Sequence, residues 1–170
     1  MFALRVPLAL VLFGFFAVTC VSLGVKYWCE PMQQLAINYT ISPALSSAAL
    51  NALFAAAWPT HRPYDFQPIL ARSLAYCCAF IEDQLIGFVN LAWDGGIHCF
   101  LLDTTVHPLW QRRGIGRQLV GLACTIARER GMEWLHVDYE PQLAPFYEAC
   151  GFRPTAAGLI ALAGERSHDR

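Results

Sequence analysis

Val106-His107-Pro108-Leu109-Trp110-Gln111-Arg112-Arg113-Gly114-Ile115-Gly116 is where one kind of hydrophobic pattern stops and another starts. Ile97 to Val106 reads as a strand, which His107-Pro108 ends. Beyond the segment, Ile115, Leu119, Leu122, Ala123 and Ile126 recur at i, i+4, i+7, i+8 and i+11. That spacing predicts a helix from about Ile115 to Arg130, closed by Gly131. The first turn of such a helix has four amide N–H groups without intrahelical partners, and its dipole adds positive potential. A diphosphate can accept those donors. Gly114 and Gly116 carry no Cβ, which lets phosphate oxygens approach the backbone, and Arg112, Arg113 and Arg117 add charge nearby. A glycine-containing turn with solvated arginines would read the same way, and this segment alone does not separate the two. The commoner nucleotide signatures do not fit: position 119 is leucine where G-x-G-x-x-G needs glycine, and no G-K-[ST] follows.

Upstream, three strands joined by tight turns are predicted. Leu74 to Ile81 and Leu85 to Trp93 form a hairpin around Glu82-Asp83-Gln84, and Asp94-Gly95-Gly96 turns the chain into Ile97–Val106. Leu35 to Ile41 reads as an earlier strand. Ser42 then supplies an N-cap with Pro43 at the first helical position, placing Leu45, Ala49, Leu50, Leu53 and Phe54 on one face. Trp58 to Asp65 is a loop, and Phe66 to Arg72 a short helix. Downstream come a strand at Glu133–Asp138, a helix at Pro141–Cys150 with Leu143, Phe146, Tyr147 and Cys150 on one side, and a last strand at Ala156–Leu162.

A chain of 170 residues suits one well-buried domain. Its net charge of −1, with 15% charged residues, offers no basic field for a nucleic acid, so that partner is set aside. The seven cysteines include no C-x-x-C pair, and adjacent Cys77 and Cys78 must face opposite ways on a strand. That arrangement suits no metal clip, and the expectation is of small buried apolar residues in a reducing compartment, with no metal site.

Gln111-Arg112-Arg113-Gly114-Ile115-Gly116 resembles the [RQ]-x-x-G-x-[GA] motif of the GNAT superfamily of N-acetyltransferases, and Val106-x-Pro108 precedes it as in that family. About thirty residues on, Phe146-Tyr147-Glu148-Ala149-Cys150-Gly151-Phe152 resembles the family's F-Y-x-x-x-G-F segment. The resemblance implies an α/β fold of the α+β type. Its mixed sheet would have about six to seven largely antiparallel strands and about four helices, with a V-shaped splay between the two central strands. It implies acetyl-CoA as cosubstrate and a small-molecule or peptide amine as acceptor. Backbone along Thr104, Thr105 and Val106 would pair with the pantetheine arm. Gln111, Arg112, Arg113, Gly114, Ile115, Gly116 and Arg117 would hold the diphosphate.

Tyr147 matches the family's frequent general acid, protonating the departing thiolate. For the base, Asp103 comes first, because i and i+2 on a strand share a face and Thr105 lies on this one; Glu140 comes second, with Asp138 beside it. Glu140 stands where many family members have an asparagine that contacts the cofactor arm, a departure from the family's pattern. His98 and His136 read as structural or surface strand residues. The loop at Trp58–Gln67 falls where the family shapes its acceptor pocket, and with Asp103 and Glu140 it suggests a small cationic amine. A non-catalytic acyl-CoA sensor is the rival reading, and a homodimer is one reading of the assembly.

Residues 1–31 stand apart from the domain at 32–164 and the polar tail at 165–170. Val6 to Val25 is twenty uncharged residues between Arg5 and Lys26, enough to cross a bilayer core of about 30 Å. Three readings stay open: a membrane anchor through residues 6–25, a secretory signal, or a true start at Met32. The flanking charges weakly favour an exported domain, whereas an acyl-CoA enzyme belongs in the cytoplasm. The expected location is cytoplasmic, membrane-anchored if residues 1–31 are retained.

Overall fold

The computed structural model describes residues 36–160 and 162, and the readings of residues 1–31 and 165–170 lie outside them. Five strands form one sheet in the order β1-β2-β3-β4-β5: β1 (Ile37–Ile41), β2 (Ala75–Ile81), β3 (Gln84–Trp93), β4 (His98–Val106) and β5 (Trp134–Val137). The first four pair antiparallel, while β4 and β5 are parallel. A parallel pair needs a long crossover, and α3 (Ile115–Glu129) supplies it.

Two cores lie on opposite faces of the sheet. On one, Ile115, Leu119, Val120, Ala123 and Ile126 of α3 pack on Cys77, Val89, Leu91 and Leu101, as the helical spacing predicts. On the other, Leu50, Leu53 and Phe54 of α1 (Ser47–Ala57) and Leu70 of α2 (Gln67–Leu70) pack on Cys78, Leu85 and Phe88. Cys77 and Cys78 therefore do point to opposite faces, one into each core. The five described cysteines are free, and burial raises the pKa of each, so they act as small apolar residues.

Three elements depart from the sequence expectation. Helix α1 starts four residues later than Ser42-Pro43 suggests: Ser46 is the cap, its Oγ accepting the Ala49 amide at 3.2 Å. Ser42 is instead pinned to β2, its amide donating to the Tyr76 carbonyl at 2.8 Å, which leaves Pro43 in a loop. The helix expected over Pro141–Cys150 is a 3₁₀ turn at Pro141–Leu143 followed by α4 (Ala144–Ala149), and Leu143 is exposed. Residues 153–160 form no strand, so the described sheet has five strands rather than six or seven. Pro154 and the run Ala156-Ala157-Gly158 are poor strand formers, and Leu159 and Ile160 stay exposed.

The feature that positions the site is the parting of β4 from β5. Their pairing runs from His98 opposite Trp134 to Leu101 opposite Val137 and then stops. Strand β4 continues to Val106, and among the described residues its last five have no strand partner on that side. This is the expected V-shaped splay.

Candidate active site

The segment at the end of β4 folds as a cradle. Pro108–Trp110 make one 3₁₀ turn, held by His107 Nδ1 accepting the Leu109 amide at 3.3 Å. Gln111 closes the loop back onto the strand, its Nε2 donating to the Val106 carbonyl at 3.0 Å. Arg112 and Gly114 both adopt left-handed backbone, with φ of 61° and 81°. Gly114 caps α3 without a side chain, and no hydrogen bond within the described residues takes up the amides of residues 112–117. Unclaimed donors at the positive end of a 15-residue helix make an anion seat.

The two glycines do different work. Space is open around Gly114, where backbone can meet a ligand. A Cβ on Gly116 would lie 3.3 Å from Cζ of Phe146 and 3.6 Å from Cγ2 of Val106. Glycine at 116 therefore lets α4 pack on the start of α3. Among the cations, the Arg113 guanidinium lies 4.6 Å from the centre of the Trp110 ring, and Arg112, Arg113 and Arg117 are all exposed around the cradle. Ile115 itself is buried in the α3 core, so only its amide faces the seat.

Along β4, alternation breaks. Phe88 of β3 pairs with Thr105 and Asn90 pairs with Leu102, so Asp103 and Thr104 together oppose Val89 in a bulge. Asp103 takes φ of 55° there. The bulge reverses which face later residues use. Thr105 turns to the α1 side, where its Oγ1 accepts the Trp58 indole N–H at 3.3 Å and donates to the Asp103 carbonyl at 3.0 Å. Thr104 turns to the α4 side beside Tyr147. The two-residue alternation that would set Asp103 on the face of Thr105 holds only in an unbroken strand, so it does not apply here.

Tyr147 lies across the splay from Thr104, 6% exposed, in an aromatic cluster. Tyr139 stacks on it at 4.7 Å, and Phe146 and Phe152 meet it edge-on at 4.9 and 5.7 Å. Burial raises its pKa, Thr104 leans the other way by favouring the phenolate, and Cys150 adds a smaller upward push. Thr104 Oγ1 falls short of hydrogen-bond geometry to any described group, so it is a buried polar atom without a partner at the mouth of the splay. Glu140 and Asp138 are exposed just beyond β5, with Glu140 at the cap of the Pro141 turn. Tyr139 between them faces inward, a role the acidic run around it hides.

The loop after α1 is ordered by Asn51. Its Oδ1 accepts the Tyr64 amide at 3.1 Å and lies 2.9 Å from His61 Nε2, while its Nδ2 donates to the carbonyls of Ser47 and Tyr64. Ser47 Oγ donates to Asp65, and Trp58 anchors the near end on Thr105. An asparagine at a poor helix position is the one sequence signal for this network.

Residues 45–152 match the acetyltransferase (GNAT) family. The chain belongs to that family. Its fold agrees with solved GNAT structures. A GNAT-family acetyltransferase of Streptococcus pneumoniae superposes with a TM-score of 0.62 at 25% identity, over 76% of this chain and 100% of the other. An aminoglycoside N-acetyltransferase solved with CoA shares the fold, with a TM-score of 0.62 at 17% identity, over 78% of this chain and 97% of that one. An uncharacterized N-acetyltransferase of Prochlorococcus marinus is 28% identical over 69 residues, which is 41% of this chain and 38% of that protein. The chain spans less than half the length of the curated relatives it matches. Within this GNAT domain the cradle, the splay and Tyr147 come together at one end of β4, and Glu140 stands at the same opening. Asp103 is in the bulge beside them. No helix among the described residues is long and apolar enough to cross a membrane.

Proposed function

We propose that the domain transfers an acetyl group from acetyl-CoA to a primary amine by direct attack of the amine on the thioester. The observation that carries this is the row of unclaimed amides at residues 112–117, set where β4 loses its neighbour. Those donors suit the diphosphate, with Arg112, Arg113 and Arg117 screening its charge. The free side of β4 at Thr104, Thr105 and Val106 offers backbone pairing to the amide-bearing pantetheine arm, as an added strand would take it. An amide at the strand's end would stabilise the oxyanion as the carbonyl is attacked.

The amine nitrogen forms the new C–N bond, and the C–S bond breaks. Starting from the ammonium form, the nitrogen gives up two protons, one to a carboxylate before the attack and one to water as the adduct collapses. The departing thiolate gains one from the Tyr147 hydroxyl, which is reprotonated from water. A phenol is a weaker acid than a free thiol, so this transfer needs the thiolate's charge to develop in a dry site, which the ring cluster around Tyr147 supplies. Asp103 in the β4 bulge and Glu140 just past the end of β5 hold the ammonium form and accept its proton, directly or through water. The CoA-bound structure of a fold neighbour supports an acyl-CoA cosubstrate here, and acetyl is the acyl group proposed. Such a supply favours a cytoplasmic domain. A membrane contact through residues 6–25 and a homodimer are further proposals that the catalytic reading does not need.

Calorimetry with acetyl-CoA tests the seat, and thiol release with an amine panel tests the chemistry. Saturable binding with amine-dependent thiol release is expected. Binding without release from any amine would favour the acyl-CoA sensor, and no binding at all would end both readings.

A further inference from the structure

On the sheet face away from α3, β4 and β5 carry His98, Phe100, Leu102, Trp134 and His136. Their register neighbours Cys99, Leu101, Leu135 and Val137 turn the other way, into or against the α3 core. Among the described residues, helices α1 and α2 cover β2 and β3 on this face and leave Phe100, Leu102, Trp134 and His136 exposed and His98 half-buried. Phe100 is 40% exposed, Leu102 41% and Trp134 55%.

The strip is nevertheless ordered. The ladder sets His98 opposite Trp134 and Phe100 opposite His136. The His136 ring stacks between its neighbours, 5.1 Å from His98 and 5.0 Å from Phe100, within 24° of parallel in both cases. His98 Nδ1 and His136 Nε2 lie 2.8 Å apart, so one ring donates to the other and the pair is held in register. Contiguous apolar surface held in place yet left uncovered by the described residues marks a binding face more often than a structural one. Its position says for what. From Trp134 the strip runs along β5 for roughly 10 Å to the last β4–β5 pair, where the splay opens. Asp138 and Glu140 stand exposed just past that point, and no charged side chain lies within the strip.

We infer that this strip is the acceptor platform, and that the acceptor is a primary amine carried on an aromatic or otherwise apolar body. The inference rests on the acetyl-transfer reading and adds the substrate class. Rings and Leu102 take the apolar body, and the carboxylates at the far end draw the ammonium group to the opening. A polyamine or an aminoglycoside fits poorly, because its remaining cations would lie over a strip that offers no carboxylate.

The test uses the full chain with saturating acetyl-CoA, following thiol release with 2-phenylethylamine and tryptamine against ethylamine, spermidine and kanamycin. The aromatic amines should show kcat/KM at least tenfold above the others. Trp134→Ala and Phe100→Ala should each cut that preference at least threefold, with the acetyl-CoA Kd unchanged by calorimetry. Trp134 is the safer site because it is mostly exposed. Higher kcat/KM for spermidine or kanamycin overturns the proposal, as does a preference that survives both substitutions. It is equally overturned if the wild type is a dimer that Trp134→Ala dissociates while the preference stays, since the strip is then an interface between copies. Calorimetry separates the two levels: intact acetyl-CoA binding with the wrong amine preference removes only this inference, whereas lost binding in the wild type removes the acetyl-transfer reading beneath it.

Discussion

A phenol that is to protonate a thiolate must keep its proton until the thiolate forms. Burial among Tyr139, Phe146 and Phe152 raises the Tyr147 pKa, so the hydroxyl stays protonated through neutral and mildly alkaline solution. The sign follows: as pH rises, deprotonating the amine helps first, and activity falls only once the phenol ionises, above its ordinary value of about 10. Tyr147→Phe should lower kcat by about 100-fold, leave the acetyl-CoA Kd unchanged and remove the alkaline fall. Wild-type kcat in that variant at pH 8 would assign the proton to another donor. The Gln111–Gly116 turn is legible in the sequence because its geometry is local, a loop of set length before a long helix, whereas the role given to Tyr147 rests on the likeness of Phe146–Phe152 to a family segment. Asp103 is not legible. Its left-handed φ and the bulge around it depend on how β3 and β4 register, which no window of sequence contains. Aspartate tolerates that conformation better than most residues, but tolerance does not announce it.

Helix α3 is held on the sheet by a contact that only glycine permits. A Cβ on Gly87 of β3 would lie 2.9 Å from Cδ1 of Leu119, 3.3 Å from Cγ2 of Ile115 and 3.3 Å from Cβ of Ala79. Leu119 can turn aside, but the β-branched Ile115 is stiff at χ1, so the start of α3 must give by a few tenths of an ångström. Gly87→Ala should cost about 1–3 kcal/mol and, by moving Ile115 at the start of α3, weaken acetyl-CoA binding as well. Gly121→Ala, on the same helix with open space around it, should instead stabilise by roughly 0.5–1 kcal/mol and leave binding alone. Thermal unfolding and calorimetry on the pair check both claims, and equal effects from the two substitutions would refute the contact. The existence of α3, β2, β3 and β4 is readable because each carries a long, regular pattern. The start of α1 falls four residues past the Ser42-Pro43 signal because Ser42 is taken up by its pairing with Tyr76, leaving Ser46 to cap the helix. The run after Pro154 shows the same limit: apolar residues become a strand only beside a partner.

Across the whole molecule, one pair of adjacent residues ties the two cores to the same sheet. Cys77 and Cys78 are both fully buried, one under α3 and one under α1, and burial pushes their thiols up to about 11 and about 12 from 9.0. Folding therefore holds both protons where the unfolded chain would release them. A pKa raised by folding contributes stability that is complete below the unfolded value and lost as pH climbs toward the folded value. The window thus opens at pH 9.0 and closes at about 12. Tyr39, Tyr76 and Tyr147, also raised by burial, steepen the loss above their ordinary value of 10.0. Urea midpoints measured from pH 8 to 11 should fall from about pH 9 upward. Cys77→Ala and Cys78→Ala should each lower the midpoint at pH 8, through the small cavity left, yet flatten the descent between pH 9 and 10, before the tyrosines contribute. An unchanged slope in both variants would mean that the two thiols ionise alike in the folded and unfolded chains, and that the two cores do not exclude water at the centre of the sheet.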